Sequence, residues 1–190
     1  MSKGYDQRQP GEAWKSDVAA SVGMYNNWFF EAAPAAFHSS RHSAIKSVIE
    51  AFDATHQARD ITAAVIKADP AVTSVLRMMT APPIARDRLV GLSGVSSRGL
   101  VKTLEDGHLP PRMKPMTLDG ELRRICTTIG RLLDVDLMSW LKTATEPDER
   151  QKYVAATVIA DRLCGVIADP IIRNAQEERQ FRAIAKYLDS

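Results

Sequence analysis

The chain has 190 residues, 45% of them apolar, and a formal net charge of +2. That length suits one domain or two small ones and allows a buried core without disulfide or metal staples. Charged residues break every apolar stretch well before the roughly 18 residues a membrane span requires, and the polar opening run Met1 to Arg8 lacks the apolar centre of a signal peptide. Cys126 and Cys164 have no spaced partners, which reads as a reduced, cytoplasmic chain with two buried thiols.

Residues 1–13, rich in Gly, Gln and Lys, read as a flexible tail. Ser16 then stands as an N-cap before Val18, Val22, Tyr25 and Phe29, spaced at the helical period, with a stop expected near Pro34. On this pattern Phe29 belongs to the core. Ile45, Val48, Ile49 and Phe52 repeat the period, and Asp69-Pro70 opens a helix through Val72, Val75 and Met79 that ends at Ala81-Pro82-Pro83. The stiff Leu109-Pro110-Pro111-Arg112 connector separates a helical subdomain over 14–108 from a second helical part over 118–190. In the second part Leu122, Ile125, Ile129 and Leu132 mark one helix, Leu137 to Leu141 a short one and Tyr153 to Ala168 a longer one. Asp169-Pro170 starts a last helix there. With little β alternation anywhere, the fold class is all-α, a multi-helix domain.

Charge is distributed unevenly. The segment from Arg77 to Lys114 carries +4 and the rest of the chain −2, the pattern expected of a phosphate-binding surface, although a solvated helix face also carries such charges. Within this segment, residues 84–106 have the layout of a helix-turn-helix. Val90 sits four positions before the turn, Gly94 supplies a left-handed backbone, Val95 fills the wedge, Ser96 caps the second helix, and Leu100 and Leu104 return to the core. In such a unit the second helix presents Ser97, Arg98, Val101 and Lys102 to the major groove of double-stranded DNA. Arg98 is suited to a guanine edge, while Ser97, Lys102 and Arg88 are suited to phosphates. The same pattern also describes an ordinary helix corner, which Gly99 inside the second helix would favour.

Other candidates read as structural. His38 and His42 stand four apart but lack further ligands. Asp134 and Asp136 form an acidic pair, with Asp136 placed as the cap of the next helix, and Asp106-Gly107 reads as a helix stop. Trp28, Phe29 and Phe30 suit an aromatic core better than a stacking platform. Asp161-Arg162, with Arg173, Asn174 and Gln176, fits either a DNA cleft or a buried ion pair that fixes helix packing. No residue is assigned as catalytic or metal-binding.

Several runs in order resemble the amino-terminal region of type II restriction endonucleases of the XamI type. They are Asp17 to Val22 with Tyr25 to Phe29, Leu76 to Met78, Pro82 to Leu89, Leu109 to Met113, Ala160 to Gly165 and Ala168 to Gln176. The resemblance implies an enzyme that hydrolyses both strands of a short double-stranded DNA site with Mg²⁺, and whose symmetric cutting suits a homodimer. It also implies that a nuclease core follows this region. Such a core needs an Asp and a Glu-x-Lys on adjoining strands, and no Glu-x-Lys stands on a strand-like segment here; Glu149-Arg150-Gln151-Lys152 has the wrong spacing and a helical setting. The expectation is therefore a DNA-binding amino-terminal portion without cofactor or catalytic residues of its own, and the alternative is a helical scaffold or dimerisation module that does not touch DNA.

Overall fold

The computed structural model describes residues 10–143 and 145–188. The fold is all-α, as expected. In chain order the helices are α1 (Pro10–Ala54), α2 (Ala63–Ala68), α3 (Val72–Met78), α4 (Arg86–Ser93), α5 (Leu100–Glu105), α6 (Pro115–Gly130), a 3₁₀ turn (Ser139–Lys142) and α7 (Glu149–Leu188). Among the described residues extended pairing is limited to one isolated antiparallel bridge, Thr80 with Leu133. The chain divides after Ser39 into two compact units.

The first unit contains the amino-terminal part of α1. The helix begins at Pro10, ahead of the expected Ser16 cap, and so takes in the end of the expected tail; residues 1–9 lie outside the described residues. Contrary to the expected stop, it continues through Pro34. A proline removes one hydrogen bond and crowds the preceding turn, about 3 kcal/mol in a helix interior. Here it is flanked by Ala32-Ala33 and Ala35-Ala36, the strongest helix formers, so the helix is carried across it. Phe29 is 40% exposed and Phe30 76%, against the expectation of an aromatic core. Periodicity identifies the residues that share a face, but it does not supply a partner to cover that face. The side chain of Trp28 lies outside the described residues.

The second unit is built around one core. Val48 and Phe52 of α1, Ile66 of α2, Leu76 and Met79 at α3, Leu89 of α4, Leu100 and Leu104 of α5, and Leu122, Ile125 and Ile129 of α6 are all buried in it. Ala155, Ala156 and Ala160 of α7, with Ile159, complete it; small side chains here let α7 lie close against α3. α7 opens four residues before the expected Tyr153 because Asp148 and Gln151 cap each other. The Gln151 N–H donates to Asp148 Oδ1 at 2.7 Å and the Asp148 N–H to Gln151 Oε1 at 2.9 Å. It then runs through Pro170, where a new helix was expected to start.

Between α1 and α2 the chain turns through His56, Gln57 and Ala58, three consecutive non-glycine residues with φ of 48°, 59° and 65°. Each such residue costs about 1–2 kcal/mol. The turn is held by the buried Thr55 hydroxyl, which donates to the Ala51 carbonyl and accepts from the Ala58 N–H. It is also held by the Trp140 indole N–H, which donates to the Gln57 carbonyl at 2.9 Å. The Trp140 ring meets Phe52 edge-on, with centroids 5.7 Å apart.

Arg162 of α7 joins three segments. Its guanidinium donates to the Met78 carbonyl at 2.9 Å, to the Thr80 carbonyl at 3.3 Å and to Asp134 Oδ2 at 2.8 Å. Asp134 in turn accepts the Leu137 N–H, so this residue, and not Asp136, caps the turn leading to the 3₁₀ segment; Asp136 pairs with Lys142 at 2.5 Å. Arg162 thus forms a partly buried ion pair that ties the helices together, while Asp161 pairs with Arg41 at 3.7 Å. Arg173, Asn174 and Gln176 have side chains outside the described residues.

Desolvation works against the charged form of Asp134, but Arg162 and the Leu137 N–H outweigh it and hold the carboxyl below the ordinary aspartate value of 3.8. A depressed carboxylate contributes stability above its unfolded value, and that contribution is lost as pH falls through the folded value. Asp134→Asn is therefore expected to lower stability near neutral pH and to flatten its decline below about pH 4. Urea unfolding of both proteins from about pH 3 to about pH 7 checks this. Parallel curves would show that the pair carries no pH-linked stability.

Candidate nucleic-acid interface

The central basic segment folds into α4, which packs on α6, a corner, and α5, which packs on α3 and α4. α4 ends where expected: Gly94 is its C-cap, in the left-handed region at φ 60° and ψ 31°. Leu89 and Ser93 face inward, while Arg88 and Leu92, one turn apart, face outward. Val95 is buried as a wedge, and Leu100 and Leu104 are buried below it.

The second half of the unit departs from expectation. α5 begins only at Leu100, so Ser97 and Arg98 lie in the connecting turn, and the Leu100 N–H bonds to the Ser97 carbonyl at 3.1 Å. Gly99 is the N-cap residue and lies outside the helix interior, which removes the expected glycine penalty. Ser96 does not cap α5. Its N–H and its hydroxyl instead donate to the two carboxylate oxygens of Glu121 on α6, at 3.2 and 2.9 Å. Val101 is fully buried and cannot present itself to a partner; it follows Leu100 into the core because both lie on the inner side of a helix of six residues.

Arg98 and Arg88 are exposed and Ser97 is half-buried. Lys102 is exposed but bonds to Asp106 at 2.5 Å, one turn on; this bond is the main reason the Asp106 carboxyl sits below its ordinary value. Two other cations of the segment are engaged inside the fold. Arg77, buried, and Arg86, half-exposed, both pair with the buried Glu105, and Arg77 also donates to the Ile84 carbonyl. Arg88, Arg98, Arg112 and Lys114 are exposed and form no ion pair among the described residues.

Sequence reasoning missed the two α6 residues that hold the corner. Glu121 accepts Ser96, and Arg124 donates to the Gly94 carbonyl at 3.1 Å. Glu121 did carry a signal, as a charged residue three after Leu118 and four before Ile125, on the buried stripe.

Among the described residues, no three His, Cys, Asp or Glu side chains lie together in a way that could hold a metal ion. His38 and His42 both lie on α1, exposed. Glu149 and Lys152 pair with each other at the start of α7. Cys126 and Cys164 are buried free thiols, and burial pushes Cys126 up to about 11, leaving it inert near neutral pH. Among the described residues no helix is long and apolar enough to cross a membrane.

Residues 56–190 match the family described as XamI restriction endonuclease, and the chain belongs to that family. It is similar to the type II restriction enzyme SalI of Streptomyces albus G, 52% identical over 175 residues, which cover 92% of this chain and 55% of that enzyme. The chain thus spans about half the length of this relative. No solved structure matches.

The corner makes a sharp stability prediction. A Cβ at Gly94 or at Gly99 would meet nothing within 4 Å, but only Gly94 has a positive φ. Gly94→Ala should cost about 1 kcal/mol, whereas Gly99→Ala should be neutral or mildly stabilising. Denaturant midpoints compare the two; equal effects would show that the left-handed position does not constrain the corner.

Proposed function

We propose that this chain contacts double-stranded DNA through the helix-turn-helix-like unit formed by α4, the corner and α5, as a part of a type II restriction endonuclease that cleaves a specific DNA site. The carrying observation is that Arg88 and Arg98 flank the Gly94 corner as exposed cations with no ion pair among the described residues, while Arg77 and Arg86 are paired internally. Arg98 is the residue suited to a base edge through two hydrogen bonds. Arg88, Ser97 and Lys102 are suited to phosphates, Lys102 after leaving Asp106. Cleavage, with Mg²⁺ held by other residues, together with action as a homodimer and a cytoplasmic location, follows from the family reading.

One observation favours the second reading, a scaffold or dimerisation module. α5 has only six residues, and Arg98 precedes it, so no long helix stands ready to lie in a groove.

Binding of the chain to duplex DNA across a salt series separates the two. For the DNA reading, affinity should fall steeply with salt, and Arg98→Ala should weaken binding about tenfold or more and relax sequence preference. Arg88→Ala should weaken all sequences alike and reduce the salt slope by about one. Absence of binding at low salt would favour the scaffold.

A further inference from the structure

We propose that Glu121 and Arg124 of α6 are positioning residues for Arg98, setting where the 96–99 turn presents its guanidinium; this rests on the DNA-contact reading above. Glu121 is 5% exposed and lies on the face of α6 that also buries Leu118, Leu122 and Ile125. Taking a carboxylate out of water is costly, and an apolar side chain of similar volume would pack α6 against the corner at less expense. What the carboxylate adds is geometry. Its two oxygens accept both the backbone N–H and the hydroxyl of Ser96, which fixes the direction of the chain two residues before Arg98.

Arg124, one turn nearer the helix end, holds the other side of the corner through the Gly94 carbonyl, and its Nη1 lies 3.9 Å from Glu121 Oε1. The corner from Gly94 to Ser96 is therefore gripped from a single helix. Beyond it, the Ser97 carbonyl is engaged by the Leu100 N–H and the Gly99 carbonyl by the Thr103 N–H and hydroxyl. Arg98 is thus held between two fixed backbone segments, and its own side chain is left exposed. The carboxylate is itself 5% exposed and hydrogen-bonded to Ser96, so it orients the turn without presenting a bare carboxylate to phosphates.

The test is a mutant cycle read by fluorescence anisotropy of the full chain on duplex DNA, well below the unfolding transition, with helicity and unfolding midpoint recorded for each variant. Arg98→Ala sets the reference loss. Glu121→Ala is expected to lose a similar factor, about tenfold, and the double variant no more than either alone, since a misplaced arginine and an absent one are equivalent. Glu121→Gln, which keeps one acceptor for Ser96, should recover part of the affinity. If Glu121→Ala does not fold, Ser96→Ala and Arg124→Met carry the same comparison. A purely structural role would lower the unfolding midpoint while leaving affinity of the folded protein unchanged, or would add to the Arg98 loss; either result overturns the proposal. If Arg98→Ala itself leaves affinity and salt slope unchanged, the DNA-contact reading falls first and this one with it.

Discussion

The second unit depends on the joint made by Arg162. One guanidinium from α7 reaches two carbonyls at the end of α3 and the Asp134 carboxylate, while the Asp134 N–H bonds to the Met79 carbonyl and the Ala81 N–H to that of Leu132. These bonds bring together segments from 28 to 84 residues apart in the sequence. α3 packs against both α7 and α5, and α4 follows it after the proline-rich turn. Buried charge of this kind adds little net stability over an apolar pair, yet removing one partner alone is severe, because the other is left without compensation.

The same economy governs the basic segment. Glu105, itself buried, draws in Arg77 and Arg86, which ties α5 to α3 and to the start of α4. A count of positive residues along the sequence treats these arginines as equal to Arg88 and Arg98. The folded chain sorts them into two groups, those that hold helices together and those that face solvent. The exposed cations of this segment without an ion pair among the described residues, Arg88, Arg98, Arg112 and Lys114, are consequently fewer than the sequence suggests.

Much of the fold could be read from the sequence because its cues are local. Gly94 as a left-handed stop, Val95 as a wedge, the apolar stripe of α6 and the Asp106-Gly107 stop all depend on a few neighbouring residues, and all are present. The errors have a common source. Local preference marks a stop at Pro34 and a new start at Asp169-Pro170, whereas the cooperativity of long helices absorbs a single missing bond and carries each helix through. Ser96 was read as a local cap because capping is a short-range preference, while its actual partner, Glu121, lies twenty-five positions on. Phe29 was assigned to the core from periodicity, which carries no information about what packs on a face. The α4–α5 layout was legible; which of its cations remain available was not, because pairing with Glu105 is a tertiary event.

The turn at His56, Gln57 and Ala58 has a consequence of its own. A glycine-built reversal would adopt left-handed geometry without strain and would keep it when its surroundings loosen, but it would also leave the unfolded chain more disordered. Three ordinary residues do the opposite. They behave as a sprung latch, shut only while the Thr55 hydroxyl and the Trp140 indole grip it, and inclined to fly open once either lets go. Loss of core order around Trp140 would therefore be announced at the turn its indole holds, making the turn's backbone amides the early reporters of local melting.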